Sequence, residues 1–176
     1  MLQKLDKQGY KILKRNQLDT PLGSMITIGD EEALYFLDFV DTHRLEQKIE
    51  RLGTEANAVI IPGMAASIKS IEAELNSYFD KTLKKFETSV RLFGSPFQQR
   101  VWEELMNIPY GETRSYLDQA RLVGSPKACR AVGSANGSNK LAIVIPCHRI
   151  INNNGNLGGY GGGIARKKWL LHHEGL

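Results

Sequence analysis

The chain has 176 residues, of which 41% are hydrophobic and 24% charged, as in an ordinary globular protein. No apolar run approaches the roughly 20 residues of a bilayer-spanning helix, so we expect no membrane association. The first 88 residues carry 12 Lys and Arg against 14 Asp and Glu, whereas residues 89–176 carry 11 against 5. This basic second half predicts a polyanionic partner, with nucleic acid the first candidate; a basic surface without a partner is the alternative.

The N-terminus and the cysteines indicate the cellular compartment. Met1 to Lys7 lack the apolar core of a signal peptide, which predicts a cytoplasmic location. Thiols stay reduced there, so Cys129 and Cys147 are expected to be free rather than paired. No four side chains have the spacing of a zinc site, and we expect no metal.

The first half predicts a small α+β domain over residues 1–88. Gly, Pro and Asp separate three apolar runs in the pattern of hairpin strands, and later apolar residues repeat at helical spacing. No catalytic motif is recognisable in residues 1–80. The predicted elements are strands at 10–13, 25–28 and 34–37, a helix over 43–52, a strand at 59–61 and a helix over 65–79.

The second half, residues 89–176, is predicted to be mostly helical. Ser95-Pro96-Phe97-Gln98 has the form of a capping box with proline at the first helical position, and it predicts a helix start. A short helix is predicted from Ser115 to Leu122. A second cap-plus-proline pair, Ser125-Pro126, predicts another helix to about Asn136. Two short helices joined by a turn of about three residues are typical of a helix-turn-helix.

The second of these helices has two distinct faces. Its small apolar residues would allow close packing, while a separate polar stripe is suited to contact phosphates or bases. A solvated helix face is the alternative interpretation. The apolar face comprises Ala128, Ala131, Val132 and Ala135, and the polar stripe comprises Lys127, Arg130 and Ser134.

Residues 143–151 carry Pro-Cys-His-Arg between two β-branched runs, which predicts a buried strand interrupted at Pro146. In a continuous strand Cys147 and His148 would point to opposite faces, so a turn after Pro146 is needed to bring them to one site. Histidine and arginine neighbours lower the pKa of a thiol. Cys147 is therefore a candidate nucleophile, with His148 as base or proton relay and Arg149 nearby; a buried structural cysteine is the alternative.

The C-terminal stretch contributes a flexible loop and a candidate carboxylate. An Asn-Gly turn is followed by a glycine-rich stretch over 157–163, whose spacing matches neither a dinucleotide-binding nor a P-loop motif. A last helix is predicted over 164–173. Glu174, which follows it, is the candidate group that orients His148 in a nucleophile–base–orienter arrangement.

An ordered series of motifs resembles the O6-alkylguanine-DNA alkyltransferases, which are also called methylated-DNA–protein-cysteine methyltransferases. The resemblance is dense over about residues 90–175 and looser over residues 1–85. The chain departs from the family's pattern at Lys140, Gly161 and Asp118-Gln119-Ala120, which bears on the width of the pocket. The matching motifs are Ser95-Pro96-Phe97-Gln98-Gln99-Arg100-Val101-Trp102, Ile108-Pro109-Tyr110-Gly111-Glu112-Thr113, Ser115-Tyr116, Ala131-Val132-Gly133, Ile145-Pro146-Cys147-His148-Arg149 and His173-Glu174-Gly175.

The resemblance implies DNA repair by irreversible transfer of a methyl or other alkyl group from O6 of guanine, and from O4 of thymine, to Cys147. Each molecule would act once and need no cofactor. By matching position, His148 would relay the thiol proton through a water while Glu174 holds its ring. Asn139 would shape the pocket from the loop that hinges the helical parts, and Tyr116 would lie against the target base.

The partner that the resemblance implies is double-stranded DNA containing O6-alkylguanine, bound by a monomer through the minor groove. The damaged nucleotide would be flipped out, with Arg130 inserted in its place. The N-terminal domain is expected to resemble ribonuclease H in topology. Further DNA-binding residues would be Ser115, Lys127, Ala131, Gly133 and Ser134, and the substrate pocket would include Tyr160, Gly161, Arg149 and Ile150.

Three other functions are compatible with the motifs taken singly. A Cys-His hydrolase would turn over many times, although such enzymes place the two residues far apart in sequence. A DNA-binding regulator would need only the helix-turn-helix and would keep its activity without Cys147. A redox sensor would need a resolving thiol, for which Cys129 is the one candidate.

Overall fold

A computed structural model describes residues 9–176, so the residues on which the expected absence of a signal peptide depends lie outside the described part. The chain forms two compact units, one ending at Phe93 and the other beginning at Gly94. The boundary was predicted after residue 88, but Val90 forms a β-bridge with Leu34 and belongs with the first unit. No helix within residues 9–176 is long and apolar enough to span a membrane.

The first unit is a four-stranded sheet with two helices, as the sequence predicted. The elements are β1 (Lys11–Thr20), β2 (Gly23–Gly29), β3 (Leu34–Phe39), α1 (Leu45–Glu55), β4 (Ala58–Pro62) and α2 (Ala66–Phe79). The strand order is β3-β2-β1-β4, with β4 parallel to β1 and the other pairs antiparallel. Helix α1 begins two residues later than predicted because Arg44 has a left-handed backbone, with φ of 57°.

The second unit is mostly helical and carries the cysteine stretch. The predicted capping box is confirmed: Gln98 N–H donates to Ser95 Oγ at 3.3 Å, and Ser95 N–H donates to Gln98 Oε1 at 2.8 Å. The elements are α3 (Pro96–Met106), β5 (Arg114–Ser115), α4 (Tyr116–Leu122), α5 (Cys129–Gly137), β6 (Ile150–Ile151) and α6 (Ile164–His173). The two-residue strands β5 and β6 pair in parallel.

The start of α5 differs from the prediction. Residues 125–128 form a turn, closed by a 2.8 Å hydrogen bond from Ala128 N–H to Ser125 O, so the helix begins at Cys129. The connection between α4 and α5 is therefore residues 123–128, longer than predicted, and Lys127 lies in it rather than on the helix. Ala131 was predicted on the packed face but is exposed.

The expected strand before Pro146 was also wrong. Residues 141–145 form turns, in which Ile143 has φ of 71°, a strained value for a β-branched side chain. A single 3₁₀ turn, Cys147–Arg149, follows, and only then does the chain become extended as β6. The predicted turn after Pro146 is thus confirmed, and it brings the cysteine to the end of a buried loop.

Candidate active site

Cys147 lies at the start of the 3₁₀ turn, partly exposed, on the wall of a cavity of about 280 Å³. This volume is near the lower end for small-molecule sites. Asn139 Nδ2 lies 3.4 Å from the thiol sulfur. The cavity is lined by Tyr116, Gly133, Asn136, Gly137, Cys147, Gly159, Tyr160 and Gly161.

Asn139 holds the loop that leads to the cysteine. Its Nδ2 donates to the Ile145 carbonyl at 2.8 Å, and its Oδ1 accepts from Leu141 N–H at 2.9 Å. The side chain is buried, so these bonds replace the hydrogen bonds that a regular strand would give the loop backbone. One amide thus fixes the strained loop and contacts the candidate nucleophile.

His148 is completely buried and pairs with Glu174, with 2.9 Å between Nε2 and Oε1. Burial lowers the pKa of His148, although the carboxylate opposes this, so the ring is neutral. A neutral ring beside a carboxylate carries its proton on Nε2. The Nδ1 nitrogen then carries a lone pair that can accept a proton, and this atom has no hydrogen-bond partner among residues 9–176. The predicted orienting role of Glu174 agrees with this geometry.

Arg149 does not line the cavity, contrary to the prediction that it belongs to the substrate pocket. It is buried, and its guanidinium forms a fork with Glu174 through Nε–Oε2 at 2.8 Å and Nη2–Oε1 at 2.9 Å. Its Nη1 donates to the Ile108 carbonyl at 2.6 Å. Ile150, also predicted at the pocket, is fully buried in β6 and is absent from the cavity wall.

Glu174 accepts three hydrogen bonds in addition to the one that pairs it with His148. Gly111 N–H lies 3.3 Å from Oε2, in addition to the two guanidinium bonds. Burial by itself would raise the pKa of Glu174, but the hydrogen bonds from His148 and Arg149 hold the pKa well below its usual range. The carboxylate is therefore charged at neutral pH, and it keeps the imidazole in one tautomer.

Tyr116 forms the edge of the cavity beside the glycine-rich loop. Gly158 has φ of 68°, and a Cβ there would come within 3.2 Å of the tyrosine ring, so this close approach requires glycine. Burial, and the nearby Cys147, raise the pKa of Tyr116, which keeps the phenol protonated. Tyr160 and Gly161, predicted at the pocket, both line it.

A more open groove of about 590 Å³ adjoins Tyr116 and Gly133. Arg130 lines it and is exposed, and Lys127 and Ser134 are also exposed. Ser115 is instead engaged locally, because its hydroxyl caps α4 and bonds Asp118 Oδ2 at 2.7 Å. Within residues 9–176 no group of three His, Cys, Asp or Glu side chains could hold a metal.

Residues 96–176 match the family model described as 6-O-methylguanine DNA methyltransferase, DNA binding domain. The methylated-DNA–protein-cysteine methyltransferase of Mycobacterium tuberculosis H37Rv is 43% identical over 157 residues, 89% of each chain. The chain belongs to the methylated-DNA–protein-cysteine methyltransferase family. A Salmonella typhimurium protein of the same name is 37% identical over 172 residues, 93% of this chain and 96% of its own.

Solved structures of methyltransferase relatives agree with the fold. The O6-methylguanine methyltransferase of M. tuberculosis has a TM-score of 0.79 and 40% identity, with 92% of both chains covered. The M. tuberculosis protein in complex with DNA has a TM-score of 0.77 and 40% identity, covering 93% of this chain and 92% of that one. The mixed α+β architecture predicted from sequence is thereby confirmed.

Sequence reasoning missed Lys167 in this methyltransferase family member. The side chain is completely buried, and its ammonium donates to the Ile150 carbonyl and, at 3.1 Å, to the Gly159 carbonyl. It thus ties the glycine-rich loop at the cavity to the strand that follows the cysteine turn. The available signal was its helical spacing from Leu170 and Leu171, which places it on the buried face of α6.

Burial lowers the pKa of Lys167 to about 8 from 10.5. Between these values the unfolded chain binds more protons than the folded one, so stability rises with pH in this window. We expect the wild type to gain free energy of unfolding, by up to about 1.4 kcal/mol per pH unit, relative to Lys167→Met. Urea unfolding of both proteins at a series of pH values measures this difference. A constant difference from pH 8 to 10.5 would contradict the expected titration.

Proposed function

We propose that this protein repairs DNA by transferring a methyl or other alkyl group from O6 of guanine, and from O4 of thymine, to Cys147. The observation that carries the proposal is a partly exposed cysteine on a cavity wall, next in sequence to a buried, carboxylate-held histidine. The names of relatives that are 37–43% identical over most of the chain support the same activity.

The chemistry is a displacement at the alkyl carbon. The Cys147 thiol gives its proton, through a water, to Nδ1 of His148, and Glu174 stabilises the imidazolium that forms. The thiolate attacks the carbon, an S–C bond forms, and the bond from carbon to guanine O6 breaks with its electron pair on guanine. Tyr116 is suited to donate a proton to the leaving base. Because the S–C bond of the thioether product is not cleaved again, the thiol is not regenerated and each molecule reacts once.

O6 of a guanine that is stacked and paired in a duplex cannot enter a cavity of this kind. The nucleotide must therefore be flipped out, at a cost of a few kcal/mol. In the proposed complex, α4 and α5 act as a helix-turn-helix in the minor groove, and Arg130 fills the space of the flipped nucleotide. Exposed Ala131 and partly exposed Gly133 allow close approach, while Lys127 and Ser134 contact the DNA backbone. The protein acts as a monomer in the cytoplasm, and its first unit has a ribonuclease H-like topology.

The test is mass spectrometry after mixing the protein with a duplex that contains one O6-methylguanine. We expect the mass of one CH₂ unit to be added to the peptide that bears Cys147, and the reaction to stop at one equivalent per chain. A duplex with unmodified guanine is the control and should leave the protein unchanged. Continued turnover, or released methanol, would instead support a hydrolase.

A further inference from the structure

Two groups of the turn over residues 108–111 bond to the end of α6. The Tyr110 hydroxyl donates to the His173 carbonyl at 3.0 Å. The next residue, Gly111, donates its N–H to Oε2 of Glu174 at 3.3 Å. The His173 carbonyl belongs to the peptide group immediately before Glu174, so the turn holds this residue by its main chain as well as by its carboxylate.

The end of α6 leaves the His173 carbonyl available to the tyrosine. The two N–H groups that follow Glu174 bond to the carbonyls of His172 and Leu171, at 3.0 and 2.9 Å, which is the pattern of a Schellman motif. Neither of these bonds uses the carbonyl of His173, the last residue of the helix. His173 is buried, and a buried carbonyl needs a donor, which the Tyr110 hydroxyl supplies.

The shape of the turn keeps Tyr110 and Gly111 in place. Glu112 N–H bonds to the Pro109 carbonyl at 3.2 Å, and Gly111 has φ of 78°, a value that favours glycine. A Cβ at Gly111 would also lie 3.1 Å from the carbonyl oxygen of Glu174. Replacing the glycine would therefore strain the backbone, whereas removing the Tyr110 hydroxyl tests the contact alone.

The position of the Glu174 carboxylate decides how strongly it acts on His148. Burial lowers the pKa of His148, and the carboxylate, 2.9 Å from Nε2, opposes this shift. The other charged neighbours of the ring, Arg149 and Lys167, both lower the pKa further, and the Tyr160 ring lies edge-on at 6.4 Å. Arg149 Nη2 bonds to the same Oε1 as the imidazole. A displaced carboxylate can thus stay with the guanidinium and leave His148 a weaker base.

We propose that Tyr110 is a positioning residue for the alkyl transfer: its hydroxyl fixes the end of α6 and so keeps the Glu174 carboxylate on Nε2 of His148. This inference rests on the proposed function. Tyr110 is not among the described residues that line the cavity, so it acts through Glu174. Burial, and the nearby Glu174, raise the pKa of Tyr110, so its hydroxyl remains a donor.

The test is the pH dependence of single-turnover methyl transfer from an O6-methylguanine duplex to Tyr110→Phe, which keeps the ring and loses one hydroxyl. With the carboxylate held less firmly, the imidazolium of His148 is less stable, and a higher pH is needed to deprotonate Cys147. We expect the midpoint of the rising limb to move up by about half a pH unit. The rate then falls about threefold below the midpoint and approaches the wild-type rate well above it.

The matched control is Tyr35→Phe, which removes a hydroxyl that donates to Asp30 Oδ2 at 2.8 Å in the first unit. Its pH profile should coincide with that of the wild type. Adding Tyr110→Phe to Glu174→Gln should not move the midpoint beyond its value in Glu174→Gln, because Tyr110 acts through the carboxylate. A fall by one factor at every pH in Tyr110→Phe, an equal shift in Tyr35→Phe or a further shift in the double variant would overturn the proposal.

Alkylation of Cys147 by iodoacetamide gives a pH midpoint without DNA, when it is followed by mass spectrometry of the peptide that bears this cysteine. The same upward shift is expected in Tyr110→Phe, and an unchanged midpoint would contradict the proposed positioning role. If the wild type accepts no methyl group from the duplex, the proposed function fails. The iodoacetamide profile then still shows whether Tyr110 controls the base beside the thiol.

Discussion

Replacing Cys147 with alanine should abolish alkyl transfer and leave binding to the duplex intact. The sulfur forms the new bond, and no other described side chain on the cavity wall supplies a thiol. The hydrogen bond from Asn139 to the sulfur, at 3.4 Å, is weak because a thiol sulfur is a weak acceptor, so its loss costs little stability. Transfer is measured by mass spectrometry and binding by fluorescence anisotropy with a labelled duplex.

The chain provides a matched control in Cys129→Ala. Cys129 is the other cysteine, partly exposed at the start of α5, and the shapes of both variants differ from the wild type by one sulfur atom. We expect this control to accept a full equivalent of methyl. If Cys147→Ala retained transfer, or if only Cys129→Ala lost it, the acceptor of the alkyl group would be a residue other than Cys147.

Local signals in the sequence predicted the elements well where a cap or an alternation defines them. Ser95 and Gln98 form the expected reciprocal cap, because both partners lie within one turn of chain. Ser125-Pro126 has a similar sequence form, yet residues 125–128 make a separate turn and the helix starts at Cys129. A proline fixes its own φ and excludes one donor, but it does not decide whether the residues after it continue into the same helix.

The differences between the expected and the observed site concern long-range partners. The family resemblance implied that Arg149 belongs to the pocket, whereas it turns inwards to Glu174, 25 positions along the chain. Burial of a charge demands a partner, but sequence spacing does not identify which one. For the same reason the sequence did not reveal the role of Lys167, whose acceptors are two backbone carbonyls, or the hydrogen bonds between the buried amides of Gln119 and Asn136.

The second large effect is expected at Glu174, whose carboxylate serves both His148 and Arg149. In Glu174→Gln the shape is kept, but the buried guanidinium loses its counter-charge, which should cost about 3–5 kcal/mol in the free energy of unfolding. Transfer should slow by roughly 10²-fold, because a neutral amide neither stabilises the imidazolium nor imposes one tautomer on His148. Urea unfolding and single-turnover kinetics give the two quantities.

Two further variants separate stability from catalysis. Glu112→Gln removes a carboxylate from an exposed pair with Arg114, and this control should change stability by less than about 1 kcal/mol and leave the rate unaltered. Adding Arg149→Met to Glu174→Gln removes the uncompensated charge, so most of the lost stability should return. The rate should not, because His148 still lacks its carboxylate. If the rate recovered together with the stability, Glu174 would act only by holding the fold, and the proton relay through His148 would have to be abandoned.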